Sequence, residues 1–355
     1  MFMTPTLRFI AAPVILIASL GAVTFLSAAE SAPVPATMKA IAMDQPGGPE
    51  VMTVHTLPVP KVDANELLIA LQSAGVAVWD LEIRQSGKYI AKPKYPYILG
   101  SDGAGVVAAV GPGVTRFKVG DKVYAYCWDN PKGGFYAEYV VVSTNCVAPL
   151  PKNVSLDDAG VLGASGLTAF SGVDRILRLK PGEKLIIHGA SGAVGTLALQ
   201  MAKARGAKVL ATTSGGEKGM DLARKLGADV VVDGRNGDIA AAARAFAPEG
   251  VDAVLALAGG DGLKRCTEGL RSGGRLAYPT GIAAVPEQRP GITITPYDAI
   301  FEPQAEQMLQ LNRTVEAIKD FRVPIPETFA LADAAKAQER LAAGGVLGKI
   351  ALKIR

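Results

Sequence analysis

Histidine is almost missing from this chain: 355 residues contain two, His55 and His188. A metal centre built on imidazole ligands has no material to form from. The three cysteines, Cys127, Cys146 and Cys266, lie far apart in sequence. They make no C-x-x-C pair and no four-cysteine zinc framework, and their spacing licenses no disulfide. No strong excess of one charge exists either. Against 37 Lys and Arg stand 33 Asp and Glu, a formal net charge of +4. No basic cluster or aromatic-interleaved basic stripe appears, which excludes nucleic acid as a partner.

What is present is a globular composition, 49% hydrophobic and 20% charged, long enough for two domains with full cores. The beginning stands apart. Residues 1–29 carry one basic residue, Arg8, and an apolar run from Ile10 to Leu26 broken by Pro13. Ser27-Ala28-Ala29 then form a small-residue cleavage site. That order predicts a signal peptide, or an uncleaved membrane anchor, and membrane contact through these residues only. Residues 30–37 read as a linker. If the leader is real, the protein is exported (periplasmic or secreted) or membrane-anchored. If the true start is Met38, it is cytoplasmic.

The chain is organised around Lys184-Leu-Ile-Ile-His-Gly-Ala-Ser-Gly-Ala-Val-Gly195. Leu185 to His188 predicts a buried strand, the glycines at 189, 192 and 195 a tight turn. Thr196 to Arg205 predicts a helix, and Lys208 to Thr213 a second strand. A glycine turn between a strand and a helix is a phosphate-binding device, because the helix N-terminus offers unpaired N–H groups and a partial positive charge. Gly192 would let the backbone approach a pyrophosphate, and Gly195 would let the helix pack on its strand. Ala190 stands where the strict pattern has its first glycine. The second strand ends without the carboxylate that holds an NAD ribose; Ser214 is there, with Lys218 four residues on. A hydroxyl and an ammonium suit a 2′-phosphate, so the expected cofactor is NADPH.

Before this unit, several short strands at close spacing between Met38 and Val142 predict a β-rich, barrel-like domain. Ser155 to Leu179 has helical spacing. After the unit, strands at 229–232, 251–257 and 275–278 alternate with helices at 220–226, 238–246 and 263–270, as in a parallel sheet covered on both faces. Helices at 305–319 and 332–343 and a strand at 349–353 close the chain.

These residues resemble the medium-chain dehydrogenase/reductase superfamily, and within it the zinc-free quinone oxidoreductases related to zeta-crystallin. The matching pieces include MKAIAMDQPGGPEVM at 38–52, GVTRFKVGDKVYA at 113–125, GGFYAEYVVV at 133–142, GLTAF at 166–170, GASGAVG at 189–195, KLGADVVVD at 225–233 and LGKIAL at 347–352. The resemblance implies an α/β fold: a β-rich GroES-like catalytic domain, residues 38–165 and 303–355, and a Rossmann doubly wound parallel sheet, residues 166–302. It implies a homodimer. The zinc-dependent relatives carry a ligand cysteine where Ala77 stands and Gly-His-Glu where Gly100-Ser101-Asp102 stands. No metal is therefore expected.

Carried over residue by residue, the resemblance gives a cofactor set. Gly189, Ala190, Ser191, Gly192, Ala193, Val194 and Gly195 would hold the pyrophosphate, and Ser214 and Lys218 the 2′-phosphate. Thr168 would lie near the nicotinamide ribose. Gly259 and Gly260 would border the cofactor at the sheet edge, and Lys349 would approach it from the closing segment. Arg235 would substitute for a tyrosine that relatives carry where Gly234 sits here. Tyr89 matches a pocket-lining tyrosine and is the candidate catalytic residue, a phenol able to donate to a substrate carbonyl oxygen. Its alternative is plain packing of an amphipathic ring. Trp79, Tyr95, Tyr97, Trp128 and Tyr297 are further pocket candidates. Asp80, Asp102 and His188 are expected to be structural. The implied activity is NADPH-dependent reduction of a quinone or an α,β-unsaturated carbonyl. The alternatives are a non-catalytic NADPH-binding sensor of the same fold and, behind it, a zinc-type alcohol dehydrogenase.

Overall fold

The computed structural model describes residues 1, 33–90, 93–281 and 288–355. The account below concerns the unit Pro33–Arg355. The expected leader, apart from Met1, lies outside the described residues. Among the described residues no helix is long and apolar enough to cross a membrane.

The first part is antiparallel. Strands β1 (Thr37–Met43) and β2 (Thr53–Pro58) pair with each other. Strand β3 (Glu66–Val76) leads into helix α1 (Val78–Ser86), and the short β4 (Tyr97–Ile98) returns to β1. Strands β5 (Asp102–Val110), β6 (Lys122–Tyr126), β7 (Tyr139–Ser143) and β8 (Val147–Pro149) complete the region. The long β3 is its axis, pairing with both β5 and β7. The expected strand at 135–142 begins pairing regularly only at Tyr139. Phe135 and Tyr136 are instead fully buried, and Tyr136 O accepts from Ile41 N at 2.8 Å, tying β1 to the larger sheet.

The expected continuous helix from 155 to 179 is broken into α2 (Leu156–Ala159), α3 (Leu162–Phe170) and a π-helical turn at Ser171–Ile176. The reason lies outside the segment. Gly160 sits against Ser73 of β3, too close for a Cβ, and Ser73 Oγ donates to Leu156 O at 2.6 Å. Every residue of α3 is buried, so tertiary packing and not local propensity sets its ends.

The second part alternates strand and helix: β9 (Lys184–His188), α4 (Ala193–Ala204), β10 (Lys208–Thr213), α5 (Gly216–Lys225), β11 (Val230–Asp233), α6 (Ile239–Phe246), β12 (Val251–Ala256), α7 (Asp261–Glu268), β13 (Leu270–Pro279) and β14 (Thr293–Tyr297). The sheet order is β11-β10-β9-β12-β13-β14, all parallel. Along β9 the side chains alternate between two cores: Leu185 and Ile187 join one, Ile186 the other. Both faces are thus covered, as a parallel sheet requires. The edge strand β14, not anticipated from the sequence, tolerates Pro296 because an edge needs fewer ladder donors. The chain then returns to the first part through α8 (Gln304–Ala317), β15 (Glu327–Ala330), α9 (Ala334–Ala342) and β16 (Ile350–Lys353). β16 pairs antiparallel with the end of β3.

Candidate active site

The glycine turn folds over the end of β10. Gly189 has φ +91°, a conformation that disfavours a side chain, and the amides of Gly189 and Ala190 both donate to Thr212 O, at 3.2 and 2.8 Å. Ala190 is fully buried beneath the turn. A Cβ on Gly195 would strike Gly189 O and Ala190 Cα, so this glycine sets the approach of α4 to β9. Gly192 differs. A Cβ there would meet only Gly189 O at 3.6 Å, and no side chain caps α4. Open space therefore faces the uncapped helix start, where Ala193 and Val194 begin the first turn. Ser191 points inward: it is buried, its Oγ accepting from Ser214 N at 3.1 Å and lying 3.3 Å from Ser214 O.

At the end of β10 stands Ser214, partly buried, followed by Lys218, exposed in the first turn of α5. Glu217, the neighbouring acid, is drawn away into an ion pair with Arg224 at 2.6 Å. Thr213 Oγ1 at this edge is buried and has no partner among the described residues. Arg235 is exposed just beyond β11, its backbone amide held by Asp233 at 2.8 Å. Gly259 and Gly260 follow β12, and Gly260 takes φ +82° at the start of α7. His188 is buried between these segments, Nδ1 at 2.7 Å from Thr212 Oγ1 and Nε2 at 3.5 Å from Gly259 O; burial lowers its pKa. An imidazole with both nitrogens engaged ties the end of β9 to β10 and to the segment after β12.

The closing segment reaches this edge. Gly348 N donates to Ser191 O at 2.9 Å, and Leu347 packs over Gly215. The Lys349 side chain, however, turns inward. Its Nζ lies 3.2 Å from Asp102 Oδ2, and both groups are almost wholly buried. Asp102 Oδ2 also accepts from Ala164 N at 3.1 Å, and Gly75 and Gly163 leave room for the pair. Sequence reading named both residues but had no signal that they meet. Thr168 lies one turn further along α3, its hydroxyl donating to Ala164 O at 2.8 Å and its carbonyl accepting from Tyr297 Oη at 3.2 Å.

Beside the ion pair lies a cavity of about 20 Å³, room for one water, walled by Trp79, Asp80, Tyr97, Ser101, Trp128 and Asn130. Trp79 Nε1 donates to Ser101 Oγ at 3.1 Å. Asp80 is buried, accepts from Ala77 N at 2.8 Å and Tyr136 Oη at 2.9 Å, and is pushed up to about 6 by burial. Tyr89 does not line this cavity. It is 46% exposed at the rim, its ring edge-on to Trp128 at 5.8 Å, which meets Trp79 at 5.7 Å. The Tyr89 hydroxyl donates to Glu82 at 2.6 Å, and Lys88 Nζ bonds the same carboxylate at 2.8 Å. Tyr297 is buried away from the rim as a bond to α3, and Tyr95 is exposed. Among the described residues no group of three or more His, Cys, Asp or Glu is placed to hold a metal ion.

Comparison with known proteins agrees with this fold. Residues 63–152 match the alcohol dehydrogenase GroES-like domain, and residues 193–302 the family described as zinc-binding dehydrogenase. The chain is 32% identical to the quinone oxidoreductase of Lama guanicoe over 90% of its own length and 98% of that protein's. It is 31% identical to the quinone oxidoreductase of Homo sapiens, covering 89% and 97%. The solved quinone oxidoreductase of Coxiella burnetii superimposes with TM-score 0.78 at 29% identity, covering 90% of this chain and all of that one. A mycobacterial protein solved in complex with NADPH superimposes with TM-score 0.76 at 28% identity, covering 89% of this chain. With a GroES-like β region, a Rossmann sheet and relatives of this similarity over nearly its whole length, the chain belongs to the medium-chain dehydrogenase/reductase superfamily, in its quinone oxidoreductase family.

Proposed function

We propose that the protein is an NADPH-dependent, zinc-independent oxidoreductase acting on quinones or other conjugated carbonyl acceptors. The observation that carries the reading is the glycine turn. Gly192 leaves open space before an uncapped helix, while Ser214, Lys218 and the Thr213 hydroxyl, which has no partner among the described residues, stand at the end of β10 without a carboxylate. These residues fit a dinucleotide with a 2′-phosphate. NADPH supplies the hydride when bound. The chain supplies the rest: Gly189 to Gly195 hold the pyrophosphate, Ser214 and Lys218 the 2′-phosphate, and Arg235, Gly259, Gly260 and Thr168 border the remainder. Gly348 meets the turn with its backbone, and the Lys349 side chain beside it fixes Asp102. Residues 38–165 with 303–355 form the acceptor-binding part and 166–302 the cofactor-binding part.

A conjugated acceptor spreads the incoming charge, so no metal is required. Tyr89 or water gives the proton; for Tyr89 to do so, its hydroxyl must exchange Glu82 for the acceptor oxygen. A cavity of about 20 Å³ does not admit a quinone, so the rim at Tyr89 and Trp128 opens for turnover. The same closed cavity favours one other reading, an NADPH-binding protein without turnover. Stopped-flow oxidation of bound NADPH by a panel of quinones and enones separates them. Rapid loss of nicotinamide absorbance with at least one acceptor supports the enzyme; tight binding with no oxidation by any supports the sensor. Lys218→Ala should weaken NADPH about tenfold, leaving NADH nearly unchanged; equal losses for both would remove the 2′-phosphate assignment. We further propose a homodimer, and export or anchoring through residues 1–29 unless translation begins at Met38. The native N-terminus, read by mass spectrometry after fractionation, distinguishes these.

A further inference from the structure

Two cysteines that sequence spacing keeps apart are brought together beside the cavity wall. Strands β6 and β8 pair antiparallel with Ala125 opposite Val147. One step further in this register places Tyr126 opposite Cys146, and Cys127 follows at once. Regular pleating ends here, since β6 stops at Tyr126 and Cys146 closes the 3-10 turn Thr144–Cys146. The two side chains therefore need not point to opposite faces, and each thiol is the largest influence on the other's ionisation. Both cysteines are half-buried; the third, Cys266, is fully buried elsewhere. The frame around them is fixed. Cys127 N donates to Ser101 O at 2.8 Å, and Gln304 bonds Tyr126 O at 2.6 Å while lying 3.9 Å from Cys146 Sγ.

We propose that Cys127 and Cys146 form a redox modification site, oxidised by a peroxide to a reversible disulfide that clamps the chain leading to Trp128. Neighbouring positions on paired antiparallel strands set their Cα atoms within the span a disulfide bridges, and Gln304, held by Tyr126 O, lies against Cys146 Sγ at the end of β6. The roles are unequal. The neighbouring Cys146 and burial push the Cys127 thiol well up, and the neighbouring Cys127 draws the Cys146 thiol down. Cys146 is the attacking sulfur. Its thiolate attacks one peroxide oxygen, the O–O bond breaks, and the leaving oxygen departs with a proton as water. The Cys127 sulfur then attacks the resulting sulfenic acid, the S–O bond breaks, and the second oxygen leaves as water. Two thiols lose two electrons in total, and the peroxide gains them. Because Trp128 follows Cys127 directly and meets both Tyr89 and Trp79 edge-on, the bridge stiffens the rim.

The experiment treats the intact, folded protein with hydrogen peroxide, blocks free thiols with an alkylating agent under denaturing conditions, and maps non-reduced peptides by mass spectrometry. The expected result is a linked peptide joining Cys127 to Cys146, with Cys266 alkylated. Dithiothreitol should remove the link, and neither Cys127→Ser nor Cys146→Ser should show it. The chain's two tryptophans are Trp79 and Trp128, so a fall in fluorescence that dithiothreitol reverses is expected alongside. Recovery of both thiols free, or of Cys146 as sulfinic acid without a link, overturns the site. A link with unchanged fluorescence overturns its coupling to the cavity. None of these readouts depends on the acceptor or cofactor assigned above.

Discussion

Asp80 is a carboxyl sealed beneath the cavity, and burial raises its pKa from the usual 3.8 to about 6. The opposing hydrogen bonds from Ala77 N and Tyr136 do not cancel the desolvation. Between about pH 4 and pH 6 the folded protein holds a proton that the unfolded chain has released. Stability therefore falls as pH rises through that window, the reverse of a salt-bridged carboxylate, by at most about 3 kcal/mol. Asp80→Asn keeps an acceptor for both donors but cannot ionise. Urea midpoints measured across the window should decline for the wild type relative to this variant, and parallel curves would show that Asp80 titrates normally. Asp102 is paired with Lys349 at 3.2 Å. A buried pair of this kind is expensive to break, about 3–5 kcal/mol for loss of one partner, and contributes little over an apolar pair. Its visible consequence is positional: it anchors the closing segment whose backbone meets the glycine turn.

The glycine turn assigns distinct duties to residues of one type. Gly189 supplies the backbone conformation, Gly195 the close approach of α4, and Gly192 the free volume. Gly195→Ala should destabilise the fold, since its Cβ would meet backbone that cannot move aside. Gly192→Ala should leave the thermal midpoint nearly unchanged and sharply reduce NADPH binding, because the methyl group enters only open space, which we propose the pyrophosphate fills. Thermal melts together with nicotinamide fluorescence titrations check both halves. Loss of stability at Gly192, or retained binding, would contradict the division. Ser191 was legible as part of the turn. Its duty was not, because it depends on Ser214, which another strand brings to it.

At the scale of the molecule, the two halves meet through α3, α8 and the closing segment. Ala77 offers no ligand atom, and the Ser101 hydroxyl is committed to Trp79 Nε1. Exhaustive chelation should leave quinone reduction unchanged; stoichiometric zinc in the purified protein, with activity lost on its removal, would contradict this donor set. The family model that matches residues 193–302 is named for zinc binding, yet the residues that decide the matter lie at 77 and 101, in the other half.

The strand–helix alternation, the βαβ unit, the glycine turn and the missing carboxylate at Ser214 were determined by the sequence alone. Each is a local pattern, set by side-chain period or by turn chemistry within a few neighbours. The tertiary structure decided what depends on distant partners. Ser73 breaks the expected helix at Gly160. Asp102 and Lys349 meet across 247 positions. Glu82 takes the Tyr89 hydroxyl away from the cavity, and the β6–β8 pairing brings the segments that carry Cys127 and Cys146 side by side. No periodicity encodes such contacts, since they exist only after sheets and helices have packed, and that packing, rather than propensity, fixes where each polar group finds its partner.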